Sequence, residues 1–553
     1  MKIARRDVLK LGAGLGVTTA CGSALAVSVP GNVVRTTNGP VRGLTSDGVQ
    51  TFKGIRYGAP PIGPLRFMPP QLPEPWTDVI DARDFGNPAI QVSMPFVGKP
   101  GTETEAAKAL KTISSMFLER DKKPVSEDCL FLNLWTPSAE SGKRPVMVWL
   151  HGGGFETGSG ALNLYDGSNL ARKSDIVLVT VNHRLNALGF LYLGDLMGPG
   201  YTKSGNAGML DLVLMLQWVR DNIGAFGGDP TNVTIFGESG GAAKVSTLMG
   251  MPAAQGLFHK AIIQSGGSKA QRKASTEIAR RILAELKIKP GDIESLQAIP
   301  VMRLLEVANA AGSNPSVPGV PASGAPRFAP VIDGEVIKSD YWDHDAPAQS
   351  RSIPLLTGFN KDEATLITAD EEWFGQLTNE QMRARAAALF GPRSAAMIDA
   401  YRAEHPDYPP TYVLTGLISA RWVFEGEYRI AEAKAAQGGA PVWMYYLAWT
   451  APIGNGVLKS PHILDVPLMF DNIDFAVPFV GDGAGARKLA HEMSTAWVAF
   501  ARTGNPNTSD LPKWPAFDSR ARAAMRFDST PRVVRDPDEA VVRAMRVGNP
   551  VAS

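Results

Sequence analysis

Val233-Thr234-Ile235-Phe236-Gly237-Glu238-Ser239-Gly240-Gly241, running into Ala242–Met249, reads as a strand, a tight turn and a helix. Small residues before and after Ser239 let the backbone reverse within a few residues. Such a turn lifts the hydroxyl into the open and aims the following N–H groups, at a helix N-terminus, toward developing negative charge. On either side of this elbow the pattern repeats. Val146–Leu150 and Ile176–Val181 are short, continuous, β-branched-rich runs, as expected of strands buried on both faces. Between them and the elbow, Gly208–Ile223 has helical spacing, with Leu212, Met215, Leu216 and Val219 on one stripe. Ala261–Gln264, Ile353–Phe359 and Trp443–Leu447 read as further strands. A long amphipathic helix near Ala486–Arg502 is ended by Thr503-Gly504-Asn505-Pro506. Strands alternating with helices predict an α/β architecture around a mostly parallel sheet.

A serine hydroxyl is a weak nucleophile until a base takes its proton and an acid holds that base. In folds with this elbow the chain order is Ser, acid, His. Of the seven histidines, His462 in Ser460-Pro461-His462-Ile463-Leu464-Asp465 sits on a loop soon after the strand Trp443–Leu447, at the expected carboxyl edge of the sheet. His344 precedes the next strand and fits less well. For the acid, Asn360-Lys361-Asp362-Glu363 directly follows Ile353–Phe359, and position alone leaves Asp362 and Glu363 tied. Strand Val146–Leu150 runs into His151-Gly152-Gly153-Gly154-Phe155, whose glycines allow successive N–H groups to face a substrate oxygen. Cysteine is scarce and no His-x-x-x-His or Cys-x-x-Cys spacing occurs, so the chemistry calls for no metal or organic cofactor.

The 553 residues are 44% hydrophobic and 20% charged, with 56 Gly and 42 Pro and no Gly-X-Y period, which excludes fibrous and disordered classes. The net charge of +2 is concentrated near the start, where Lys2, Arg5, Arg6 and Lys10 face only Asp7. A near-neutral remainder gives no reason to expect nucleic acid or an anionic membrane as partner. The twin arginines, the short apolar run Leu11–Ala20 and Ala24-Leu25-Ala26 read as a Tat-type export signal over residues 1–26, cleaved after Ala26, which predicts a periplasmic or secreted protein. No segment approaches the length of a membrane span. Thr18-Thr19-Ala20-Cys21 is a poor lipoprotein site, and cleavage would leave Cys129 as a lone thiol, expected to be buried. Two stretches break the α/β pattern: residues 87–126, with one expected helix around Glu105–Phe117, and the Pro-rich residues 313–328. Both are candidates to shape an entrance. Oligomeric state is left open.

Taken together these residues resemble the type-B carboxylesterase family, which includes cholinesterases and para-nitrobenzyl esterases. Phe226-Gly227-Gly228-Asp229-Pro230 through Gly241 is similar to its serine signature, and Glu127-Asp128-Cys129-Leu130 through Pro137 to its second signature. Phe52–Pro61 with Arg66-Phe67, and Trp514-Pro515-Ala516-Phe517-Asp518, resemble its two ends. The resemblance implies one α/β-hydrolase domain over residues 27–553, with a large central twisted sheet flanked by helices and long loop insertions over the site. It implies a catalytic set of Ser239, Glu363 and His462, and so favours Glu363 over Asp362. Gly153, Gly154 and Gly240 would supply the oxyanion donors, Glu238 would be a buried neighbour of the nucleophile, and Ser265 a supporting hydroxyl. Gly240 stands where the family usually has Ala, a change expected to keep the donor but loosen the turn. Residues 87–126 hold no Trp to receive a quaternary ammonium, so choline esters are not expected. The implied activity is hydrolysis of small-molecule carboxylic esters through an acyl-enzyme, rising through about pH 6–7 as the histidine becomes neutral. Lipase, lactonase or amidase activity, or a non-catalytic binding protein on the same scaffold, are the alternatives.

Overall fold

The β-branched and aromatic runs become strands β1 (Val29–Arg35), β2 (Pro40–Ser46), β3 (Val49–Arg56), β4 (Ile80–Asp81), β5 (Phe131–Thr136), β6 (Arg144–Leu150), β7 (Val177–Val181), β8 (Gly228–Glu238), β9 (Lys260–Gln264), β10 (Leu355–Asn360), β11 (Val442–Leu447), β12 (Ala523–Phe527) and β13 (Arg532–Arg535). The structure is a computed structural model describing residues 28–91, 104–118, 123–140, 142–266, 272–311, 328–342 and 344–547. The leader expected over residues 1–26 and nearly all of the Pro-rich stretch lie outside those residues. The strands join one sheet in the order β1-β2-β3-β5-β7-β6-β8-β9-β10-β11-β12-β13, with β4 beside β2. From β7 to β12 every pairing is parallel, and the flanks are antiparallel except for the short β4, which pairs β2 in parallel.

Side chains alternate across the sheet, as the period of two requires. Val146, Val148 and Leu150 of β6 enter the core on one face, while Met147 and Trp149 enter the core on the other. The helix Ala207–Asn222 covers the first face. It is buried nearly all round, including Val213, Leu214 and Trp218 outside the expected stripe, because other elements cover its outer side too. The helix Ala484–Thr503 covers the second face with Leu489, Met493 and Trp497, and ends at Gly504 in a left-handed conformation. The expected helix in the irregular region is present as Glu105–Leu118.

Most element ends move by a residue or two from the sequence reading. β8 differs more, beginning at Gly228 instead of Val233. Gly228 already pairs with Arg144, and the register then shifts so that Val233 faces Val146, which leaves Pro230 outside the regular ladder. Cys129 is buried and free, with its thiol pushed up by burial. Beside β7, the buried guanidinium of Arg184 holds Asp211 at 2.6 Å. No helix among the described residues is long and apolar enough to cross a membrane.

Candidate active site

Five neighbouring parallel strands, β6, β8, β9, β10 and β11, end on the same edge; the first four pass directly into loops carrying candidate residues, and His462 follows β11 after the short helix Ile453–Gly456. This is where open α/β sheets place their ligands. At the end of β8, Ser239 adopts φ 55°, ψ −122° before the helix Gly240–Leu248 begins. That conformation is costly for a residue with a side chain, and it persists because its surroundings over-determine it. The Ser239 N–H donates to Gln264 O at 2.8 Å. A Cβ at Gly241 would fall 1.9 Å from Leu150 O, and one at Gly237 would fall 2.5 Å from the Gly241 carbonyl carbon. Only glycine fits either place, so the elbow packs against the end of β6 by contact of bare backbone. Ser239 itself is half-buried, unlike its buried neighbours.

Beyond β10, Glu363 is fully buried and its Oε2 accepts the Nδ1–H of His462 at 2.5 Å. Its Oε1 accepts the Ser265 hydroxyl at 2.6 Å and the Asn360 N–H at 2.7 Å. Asp362, its rival in the sequence, turns the other way. It accepts from the Tyr408 hydroxyl and the Ser460 N–H, holding the loop that carries His462. His344 is exposed and takes no part. Trp422, on a π-helical turn Ala420–Phe424, packs against the His462 ring at a 45° tilt with centroids 4.6 Å apart.

The second ring nitrogen, Nε2, has no hydrogen-bond partner, and it lies 3.1 Å from Glu238 Oε1, which is also unpartnered. Burial pushes the Glu238 carboxyl up to about 8, against the pull of His462, with Asp465 and Glu363 raising it further. Burial alone would lower His462, but Glu238 and Glu363, one at each ring nitrogen, outweigh it and push the imidazole up to about 9. Asp465 accepts from Gln264 and the Tyr445 hydroxyl, and Glu427 accepts from the Gly266 N–H and the Thr357 hydroxyl. Burial raises both. Glu238, Glu363 and Asp465 thus surround one imidazole, and Glu427 lies behind Glu363.

The loop His151–Gly154 lies on the first turn of the elbow helix. Gly153 and Gly154 take φ of 88° and 62°, and the N–H groups of Gly153, Gly154 and Gly240 donate to no acceptor among the described residues. They are neighbours, since a Cβ on Gly240 would fall 2.4 Å from Gly154 N. The turn at Gly240 is therefore not loosened by its missing methyl group; the loop occupies that space. His151 is held neutral, lowered by burial to about 3.

The sequence reading missed Trp422, Glu427 and Lys244. Trp422 and Glu427 leave no sequence signal, because only tertiary packing brings them to the cluster. Lys244 had one: it is the sole charge in Gly240–Leu248, a helix buried throughout.

The sequence profile of the carboxylesterase family matches residues 30–544. The chain is 36% identical over 515 residues to a para-nitrobenzyl esterase of Bacillus subtilis (strain 168), covering 92% of this chain and 96% of that protein. It is 32% identical over 526 residues to a phenmedipham hydrolase of Pseudarthrobacter oxydans, covering 93% and 99%. Among solved structures, a Geobacillus stearothermophilus carboxylesterase superposes with a TM-score of 0.77 at 37% identity, covering 93% of this chain and all of that one. The fold is that of these α/β-hydrolases.

Proposed function

The chain belongs to the carboxylesterase family and is a serine hydrolase of carboxylic esters, and from that premise we propose that Ser239, His462 and Glu363 carry out acyl transfer. Ser239 Oγ attacks the ester carbonyl while His462 Nε2 takes its proton. Glu363, bonded to Nδ1–H, fixes the tautomer and stabilises the imidazolium that forms. The N–H groups of Gly153, Gly154 and Gly240 receive the oxyanion. Collapse of the tetrahedral intermediate breaks the bond to the alkoxy group, and His462 returns the proton to it as the alcohol leaves. Water then repeats the sequence on the acyl-enzyme and releases the acid.

What chiefly supports this reading is the buried imidazole, bonded to Glu363 through one nitrogen and free of hydrogen bonds at the other, together with a strained serine at the elbow and unengaged backbone donors. The test is Ser239→Ala. The purified variant keeps its thermal transition, loses hydrolysis of a short p-nitrophenyl ester and no longer takes up an organophosphate stoichiometrically. Unchanged hydrolysis would overturn the assignment. The substrates we propose are small-molecule carboxylic esters. We also propose Tat-dependent export with cleavage after Ala26, tested by cell fractionation and by sequencing the mature N-terminus.

A further inference from the structure

Lys244 is fully buried and has no role in the reaction described above. Helical side chains lean toward the helix N-terminus. One turn in from Ser239, Lys244 therefore reaches back over the loop that rests on the first turn. Its Nζ donates to Gly154 O at 2.7 Å and to His151 O at 3.0 Å, and it lies 5.3 Å from the centre of the Phe155 ring. Burial lowers its pKa to about 7, against the pull of Glu238. A buried amine is expensive unless its donors are satisfied, and these two carbonyls satisfy two of them.

The other two carbonyls of the loop are held as well. Gly152 O accepts the His151 Nδ1–H at 2.8 Å, and Gly153 O accepts the N–H of Thr157 at 3.0 Å and its hydroxyl at 3.2 Å. In a trans peptide the N–H points opposite to the C=O it shares a plane with. Fixing the carbonyls of Gly152 and Gly153 therefore aims the N–H groups of Gly153 and Gly154. Fixing those of His151 and Gly154 pins the two ends of the same segment.

We propose that Lys244 is a positioning residue for the oxyanion loop: one amine ties both ends of His151–Gly154 to the elbow helix and holds the Gly153 and Gly154 donors in register with Ser239. The proposal rests on the acyl-transfer reading given above. Charged or neutral, the amine keeps at least two N–H donors, so the tie outlasts deprotonation.

Lys244→Met preserves length and removes the donors; Lys244→Gln, with a shorter amide, serves if the methionine variant does not fold. Losing one oxyanion donor outright costs roughly 10²–10³ in turnover, so a misaimed pair is expected to lower kcat about 10- to 100-fold with KM nearly unchanged. Affinity for a trifluoromethyl ketone, which adds to Ser239 and places an oxyanion in the hole, falls by the same factor. Affinity for a ground-state competitive amide holds within about twofold. Val245→Ala, a buried truncation in the same helix, controls for lost stability and keeps kcat at a matched drop in Tm. A Lys244 variant that retains kcat within about threefold, or loses ketone and amide affinity alike, overturns the proposal. If Ser239→Ala is inactive while Lys244→Met is unimpaired, only the clamp falls; if Ser239→Ala hydrolyses normally, the parent reading falls with it.

Discussion

Glu238→Gln isolates the charge that faces the unpartnered nitrogen of His462. At 3.1 Å and an effective dielectric near 20, a full carboxylate charge is worth about 5 kcal/mol, or about four pH units on the imidazole. That is a ceiling, because burial raises the Glu238 carboxyl to about 8 and leaves it partly protonated across the neutral range. Of the influences that bring His462 to about 9, Glu238 is the largest raising one, and Glu363 stays in place. The isosteric amide is thus expected to lower the imidazole by at least about one unit. The sign for activity follows from the proposed role of the neutral imidazole as base. A raised value keeps the proton on to higher pH, so in the wild type the acidic limb of kcat/KM lies above the pH 6–7 expected from an unperturbed histidine. In Glu238→Gln that limb moves toward acid. The assay is a pH-stat measurement of ester hydrolysis across roughly pH 5 to 10, with circular dichroism to confirm the fold. A limb that stays within about 0.3 unit of wild type, or moves toward alkali, refutes the electrostatic reasoning.

Burial raises Glu427 in the folded state, so the stability it contributes is present below the ordinary glutamate range and is lost as pH rises through its folded value. Glu427→Gln is accordingly expected to match the wild-type Tm at acid pH and exceed it by a growing margin toward pH 9, as read by calorimetry over roughly pH 4 to 9. Gly241→Ala forces a methyl group to 1.9 Å from Leu150 O. It is expected to cost about 1–3 kcal/mol by urea titration and to depress kcat by moving β6 and its glycine loop off the elbow. Arg184→Leu leaves Asp211 buried without its guanidinium. A loss of about 3–5 kcal/mol in unfolding free energy is expected.

The parts of this architecture that sequence discloses are those where sterics leave little choice. Gly237 and Gly241 read as a sharp turn because no other residue fits against Leu150 and its neighbours, and the β-branched runs beside them have no amphipathic alternative. His462 was legible from its place after β11, the edge of the sheet being set by chain order. Asp362 and Glu363 were tied because adjacent residues on a loop differ only in which way they face, and that is decided by Ser265, Asn360 and Tyr408 from distant segments. Gly240 read as slack because the loop that fills the space lies nearly ninety residues away in the chain.

Cys129 has a practical meaning beyond packing. A sulfhydryl sealed in the core and driven toward its protonated form offers electrophiles nothing while the molecule is closed. Maleimide uptake by a chain shortened to begin at Val27 would therefore count excursions of the interior into water, a built-in clock for breathing that runs independently of catalysis.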